Sequence, residues 1–438
     1  VTGAYAGNER PAAGRRSAAW VATAVLAGTF AALYLFLGTT LGRTGVFGYQ
    51  DALFGADVDR VIYDMTAAGA DHSYTTVHPL FVLFLNPAGA LLTKVLGSRV
   101  VAAVTLNAAA GGLCVALAHR FFRRVGAGLV RGILYAFILG SSSAHLFYGA
   151  VPETWIFTAC GITLLFLLLA SRPGKLRYFV PAGIFALGTL TTNVFHVVAT
   201  YAAGLFGKER GRALWGKLAA YFGAVLSGTV ALSLVQRWIF PRAKLFFLPL
   251  SWTDSLTWYS WRLGKPAELP VRLVKLLAYH FVYNFASPGV EVSAVPAGKA
   301  LVPRIPYVGV DPLSYDALGF VAAALGVLLA GAAAASFFKN KVYRDNLARA
   351  LIIVGVFGFL MFGYYGSGEL FVYTPMWTFV VLAGGALSAE PFFRRGGWKG
   401  RVATTALVVF AGLQLVNNLR FFYGVVDVFQ RGLPPMNW

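Results

Sequence analysis

The chain has 438 residues, 58% hydrophobic and only 12% charged, with a formal net charge of +20 at pH 7. Soluble domains carry roughly 25% charged residues, so a soluble globular protein is excluded and a polytopic membrane protein is expected. The cysteines Cys114 and Cys160 both lie in apolar runs, which argues against a disulfide scaffold and against a cysteine-based metal site.

Residues 1–17 form a tail with Arg10, Arg15 and Arg16, expected in the cytoplasm because inner loops carry the excess of cations. The apolar run 18–40 is long enough to cross a bilayer, which takes about 20 residues. It is longer than the apolar core of a signal peptide and shows no convincing cleavage site, so it is expected as a retained helix. An outer loop, 41–98, follows. It gathers Asp51, Asp57, Asp59, Asp64 and Asp71 with His72 and His78, in a chain otherwise poor in acids.

The segment 78–97 is apolar with Asn86-Pro87 at its centre. If it crossed, the turn at 120–131, with Arg120, Arg123, Arg124 and Arg131, would face outward against the charge rule. It is therefore placed as an interfacial or re-entrant helix on the outer side, its interior disrupted by proline. Spans are expected near 99–119, 132–149 and 154–171. The cations Lys208, Arg210, Arg212 and Lys217 make 178–206 a hairpin of two short helices, broken near Thr191-Thr192-Asn193. Further spans near 218–240, 313–338, 349–365, 372–388 and 402–420 bring the total to about 11 crossings, N-terminus in and C-terminus out.

On this layout the inner segments hold most of the Lys and Arg and few acids, namely Glu9, Glu209, Asp345 and Glu390. The basicity sets topology, and no exposed basic domain remains to bind nucleic acid. The fold class is an all-α polytopic membrane protein with juxtamembrane helices in the first outer loop. Its expected parts are the tail 1–17, a transmembrane module 18–240, an outer loop 241–312 and C-terminal helices with an outer tail, 313–438. The piece 268–286, mixed apolar and basic, suits a helix lying in the interface.

Three outer clusters converge on this topology: the loop 51–78, Pro152-Glu153, and the stretch 363–377 with Glu369, Tyr373 and Trp377. Ionisable groups at membrane depth mark function by default. The order of parts is then informative. After the first span come Asp57, Asp64-Met65 and His78-Pro79-Leu80. An apolar helix, the turn Val95-Leu96-Gly97 and a span ending in the basic turn His119 to Arg124 follow. Glu153 supplies a second outer acid, and Tyr373 and Trp377 follow a late Gly-Tyr turn.

This order resembles the GT-C superfamily of integral-membrane glycosyltransferases, especially bacterial members related to protein O-mannosyltransferases and lipid A aminoarabinose transferases. The resemblance covers roughly residues 18–210, with weaker echoes to 388. It implies transfer of a sugar from a polyprenyl-phosphate carrier to an extracytoplasmic acceptor, with inversion, at the outer face of the plasma (inner) membrane. Many relatives have Asp-Glu where this chain has Asp57-Val58-Asp59, and the spacing from Asp57 to Met65 is short. Asp57 is taken as the general base with Asp59 as its substitute.

An attacking hydroxyl must lose a proton, and a positioned carboxylate can accept it. The blander role for Asp57 is to cap the helix starting near Val58. Glu153 would position the acceptor or support the base, against a blander role as an acid favoured by a helix N-terminus. His78 would contact the leaving phosphate or orient the loop. Arg60, Arg242 and Arg262, with Lys244 and Lys265, are the outer cations for phosphate oxygens. Asp64, four residues after Arg60, is expected to pair with it. Trp252, Trp258 and Trp261 are candidates to stack on a sugar or to anchor at the interface. Glu369 and Tyr373 complete the substrate-binding set, and Asn193 and His196 would line an acceptor cavity. No metal is expected, with Mg²⁺ or Mn²⁺ on Asp57, Asp59 and His78 as the alternative. A lipid-linked sugar flippase or other transporter, and a non-catalytic subunit of polysaccharide export, are the competing readings.

Overall fold

A computed structural model describes residues 13–252, 269–294, 306–311, 314–364, 370–394 and 397–432. Helix α1 (Ala13–Gly42) is followed by the first loop, which contains the short helix α2 (Val58–Thr66) and α3 (Phe81–Leu96). Then come α4 (Arg99–Arg124), α5 (Leu129–Ser141), α6 (Ser143–Ala150), α7 (Trp155–Ser171), α8 (Leu176–Thr189), α9 (Val194–Leu205) and α10 (Gly211–Ile239). The second loop holds α11 (Leu269–Ala278), a π-helical turn at Tyr279–Tyr283, and two strands, β1 (Gly289–Ala294) and β2 (Pro306–Asp311). Helices α12 (Ala317–Lys339), α13 (Asn346–Tyr364), α14 (Pro375–Arg394) and α15 (Gly397–Gly432) close the chain.

Among the described residues, 7 helices are long and apolar enough to cross a membrane, and the bent pair α5–α6 makes an eighth candidate. These are α1, α4, α10 and α12 to α15. The remaining expected crossings, 154–171 and the two arms of 178–206, are the shorter helices α7, α8 and α9. At 1.5 Å per residue, α8 and α9 reach only about 20 Å, short of a hydrocarbon core about 30 Å thick. The chain is a polytopic α-helical membrane protein, and large apolar side chains such as Leu328, Phe338, Trp238 and Trp215 stand exposed along α12 and α10.

Three expectations are corrected. The span near 132–149 is two helices at 60° to each other. Ser142 adopts an extended backbone, and its hydroxyl accepts from the His145 N–H, which starts a new helix. Helix α3 runs unbroken through Pro87, with the Leu83 N–H taken by Gln236 Oε1 at 2.9 Å. The C-terminal helix α15 is 36 residues long, so the expected outer tail is helical as far as Gly432. The all-α class holds, with one antiparallel hairpin among the described residues, β1–β2, in which Val290 and Val292 face Val310 and Val308. Alternation of this kind puts the valines on one face of the ribbon.

The hairpin reaches back to the first loop. The Val308 N–H donates to the Ala52 carbonyl at 2.9 Å, and the Phe54 N–H donates to the Val308 carbonyl at 2.9 Å. Phe54 then packs against Phe147 of α6 and Phe371, ring centres 4.9 and 4.8 Å apart. The break between α8 and α9 falls at Thr191–Asn193, where the sequence places it. Its backbone is satisfied by the first loop: Thr191 N–H donates to Val77 O at 2.9 Å, and Leu80 N–H donates to Gly188 O at 2.7 Å.

Helices α1 and α4 are antiparallel. Gly111 packs on Tyr34, Thr23 meets His119, and Arg120 lies over Trp20. The turn Arg120–Arg131 therefore lies at the opposite end of the bundle from the first loop. Close approach of α3 to α2 depends on Gly89, where a Cβ would fall 2.0 Å from the Met65 carbonyl oxygen. Gly89→Val is expected to destabilise the protein by about 1–3 kcal/mol, as overpacking does. Gly69→Ala, with nothing within 4 Å of its added carbon, is the neutral control. Thermal unfolding in detergent, followed by tryptophan fluorescence, checks the pair.

Candidate active site

The site is built on the turn that precedes α2. Asp51, Phe54 and Gly55 all take positive φ, at 62°, 56° and 76°. The turn closes through Asp51 N–H to Ala56 O at 3.1 Å. Non-glycine residues in this region cost on the order of 1–3 kcal/mol each, and the Val308 bridge and the Phe54 packing hold them there. The turn delivers Asp57 to the N-cap position of α2.

Asp57 does not cap that helix; no side-chain cap hydrogen bond forms. Its carboxylate is held from the side instead. Arg60 donates Nε and Nη2 to Oδ2 at 3.1 and 2.7 Å, and Gln50 Nε2 donates to Oδ1 at 2.9 Å. Arg60 also donates Nη1 to Asp64 Oδ2 at 3.0 Å, which is the pairing expected from the four-residue spacing. Its guanidinium lies 3.8 Å from the Tyr74 ring centre. The other Asp64 oxygen meets His72 Nδ1 at 2.9 Å. Arg60 thus uses one N–H of each guanidinium nitrogen on Asp57 and Asp64 and holds the Asp57 carboxylate in place.

Removing this cation would leave two carboxylates together without their partner. Arg60→Ala is expected to cost about 3–5 kcal/mol, and Asp64→Asn added to it is expected to recover part of the loss. Chemical unfolding of the purified variants in detergent measures both.

Glu153 sits in the short link between α6 and α7 and is 2% exposed. Asn107 shapes the link, donating to Tyr148 O at 2.9 Å and accepting from the Glu153 N–H at 3.4 Å. Glu153 Oε1 accepts from the Thr154 N–H and hydroxyl, both at 3.1 Å. Oε2 is buried with no hydrogen-bond partner. Burial first, and the neighbouring Asp57 charge second, push the Glu153 carboxyl up to about 7, against the opposing pull of Arg60. Glu153 and Asp57 therefore act on each other electrostatically across one site. Asp51 is raised to about 6, by burial and then by Asp57.

His78 enters from the far side of the loop. Its Nδ1 bonds to the Thr189 carbonyl at 2.7 Å, which leaves Nε2 as an acceptor in the neutral ring. Burial and then Arg60 lower its pKa to about 4, so it is uncharged at neutral pH. Its ring packs edge-on to Trp155, which meets Tyr373 edge-on at 4.8 Å. Tyr373 in turn stacks on Phe362 at 4.8 Å. An aromatic wall thus runs from His78 to the 370–377 segment. At the α8–α9 break, Asn193 Oδ1 and His196 Nδ1 are buried without partners.

The structure brings Asp57, Arg60, Glu153, His78 and Tyr373 into this neighbourhood. Asp59 lies two residues round α2 from Asp57; its carboxyl is raised by burial alone, with no charged neighbour contributing. Arg242 is exposed and donates Nη1 to the Gly69 carbonyl at 2.9 Å. The backbone of Lys244 is tied to Thr75, and Trp252 Nε1 donates to Phe246 O. Arg262, Glu369, Trp258, Trp261 and Lys265 lie outside the described residues. No group of three His, Cys, Asp or Glu side chains suited to a metal comes together among the described residues. Gln50, Tyr74 and Trp155 escaped the sequence reading. Gln50 and Tyr74 carry no spacing signal, and Trp155 reads as one more apolar helix residue.

No protein-family model matches the chain, and no curated protein does. Among solved structures it is similar to the Archaeoglobus fulgidus oligosaccharyltransferase in its apo form, with 13% identity over 94% of this chain and 56% of that one, TM-score 0.42. It is likewise similar to the same organism's oligosaccharyltransferase AglB in complex with an inhibitory peptide and a dolichol-phosphate, with 13% identity, 94% and 56% covered, TM-score 0.43. A third likeness is to the A. fulgidus enzyme in complex with Zn and sulfate, at 14% identity, 91% and 52% covered, TM-score 0.38. The chain spans about half the length of these structures. Identity this low and superposition this loose leave the functional reading to the residues themselves.

Proposed function

We propose that the chain is a GT-C-type membrane glycosyltransferase that moves a sugar from a polyprenyl-phosphate carrier to an acceptor hydroxyl outside the cytoplasm, with Asp57 as general base. The carrying observation is the disposition of Asp57. Its carboxylate stands at a helix start without capping it, is fixed by Arg60 and Gln50, and lies within electrostatic reach of a buried acid whose Oε2 has no partner. In the proposed step the acceptor oxygen attacks the anomeric carbon from the side opposite the phosphate. The bond from that carbon to the phosphate oxygen breaks, the hydroxyl proton passes to Asp57, and the polyprenyl phosphate leaves. Protonated Glu153 donates from Oε2 to a substrate oxygen, and the wall of His78, Trp155 and Tyr373 receives the sugar ring. Mg²⁺ or Mn²⁺ is not required by this scheme.

The experiment supplies purified protein with labelled polyprenyl-phospho-hexose and candidate hydroxyl acceptors and looks for a glycosidic product. One observation favours a second reading, a lipid-linked sugar flippase. The α5–α6 span is sharply bent at Ser142, and broken helices are a feature of transporters. Movement of the labelled lipid between leaflets of proteoliposomes, with no glycosidic product, would decide for it.

A further inference from the structure

A cavity with a volume of about 450 Å³ lies away from Asp57, among α5, α12, α14, α15 and the π-helical turn. Its floor is made of small residues, among them Ala322, Gly326, Gly385 and Ala389, which bare the helix backbones. Among the described residues lining it, three carry polar side chains with distinct fates. Ser336 is satisfied internally, its hydroxyl donating to the Ser388 carbonyl and accepting from Asn340. Lys399 is exposed at the mouth beside Trp398, 68% exposed, near the start of α15. Tyr135 is 2% exposed, and its hydroxyl has no hydrogen-bond partner.

The vertical order of these groups defines an occupant. Lys399 lies at the bundle's basic end, the end of Arg120–Arg131, and Trp398 beside it suits a membrane–water boundary. Tyr135 stands six residues into α5, about 9 Å deeper along that helix. Beyond it the lining is hydrocarbon. A cation, then a deeper hydrogen-bond donor, then an apolar slot match the phosphate, the glycerol linkage and the chains of a phospholipid. We infer that this groove is a binding site for an anionic glycerophospholipid, with its phosphate at Lys399, its glycerol-linkage oxygens at the Tyr135 hydroxyl and a chain in the slot. A buried hydroxyl left without a hydrogen-bond partner is destabilising, and the lipid relieves it. An isoprenoid tail has no oxygen to offer Tyr135 at that depth.

The test uses the full chain, reconstituted in nanodiscs of equimolar phosphatidylglycerol and phosphatidylcholine. Retained lipid is read by native mass spectrometry after release. The wild type is expected to retain phosphatidylglycerol about fivefold over phosphatidylcholine. Lys399→Gln abolishes that preference. Tyr135→Phe, which preserves the packing, lowers retention of both lipids about two- to tenfold without altering their ratio. Gly385→Leu, placed where an added carbon meets nothing within 4 Å, fills the slot and removes retention. A wild-type ratio of one overturns the proposal, as does an unchanged Tyr135→Phe. Displacement of the lipid by polyprenyl phosphate, or a dimer that Gly385→Leu dissociates, identifies a different occupant and overturns it equally.

Discussion

Asp57→Asn is expected to reduce sugar transfer by about 10²–10⁴, the range that general-base removal brings, with little change in fold. The amide keeps the size of the side chain, and its one oxygen can still accept from Arg60 while Gln50 turns its own amide to accept from the new NH2, but it cannot take the hydroxyl proton. Because Asp57 makes no cap bond to α2, the substitution removes chemistry without unpinning a helix. Asp59→Asn is the matched control, since no ion pair or hydrogen bond ties its carboxylate to the Asp57 cluster among the described contacts. It is expected to stay within a few-fold of the wild type. Single-turnover measurements with bound carrier lipid separate the proton-transfer step from lipid exchange. Full activity in Asp57→Asn, or a larger loss in Asp59→Asn, removes Asp57 from the role.

The second large effect is in pH. Glu153 is raised from its ordinary value of 4.5 to about 7, so its donor form is present below about pH 7 and lost above it. Turnover is expected to fall as pH rises from about 6 to 8. Glu153→Gln carries a permanent donor at the same place and is expected to lose that alkaline arm. The same shift has a consequence for stability. Between 4.5 and about 7 the folded protein holds a proton that the unfolded chain releases, so stability declines as pH rises through this window. Glu153→Gln is expected to unfold at a higher temperature than the wild type at pH 8 and at nearly the same temperature at pH 5. Asp51, raised only to about 6, adds little change above pH 6. Equal pH profiles in the two proteins would detach Glu153 from the site.

Much of this arrangement is legible in the chain because lipid leaves few alternatives. A helix is the way for a backbone to satisfy itself in hydrocarbon, so apolar runs locate α1, α4, α10 and α12 to α15. The cations of 208–217 forced the break at Thr191–Asn193, and the structure has it there. The Arg60–Asp64 pair follows from helical spacing alone. Other features depend on contacts between distant segments. The bend at Ser142 rests on its hydroxyl taking the His145 N–H and on the Ser143 and Ala144 N–H groups donating to the Phe285 and Asn284 carbonyls, which an apolar run does not reveal. In helix α3 the Leu83 N–H, free at the helix start, meets Gln236, and Asn86 beside Pro87 meets the Asp64 carbonyl. The β1–β2 hairpin and its bridge to Leu53 join residues far apart in sequence, and so does the wall from His78 to Tyr373. Gln50 could not be singled out, because an amide gains its meaning only from the carboxylate it meets.

The bridge between Val308 and the Ala52–Phe54 backbone has a consequence for biogenesis. The turn that bears Asp57 is completed by a segment that the ribosome makes long after it, once α1, α4 and α10 have been made and before α12 to α15. Until that later segment has arrived, Phe54 lacks its backbone partner and the positive-φ turn lacks its lock. A nascent or truncated chain ending before residue 306 therefore carries the proton acceptor in an unformed state, and competence for transfer arises only after that strand has been made.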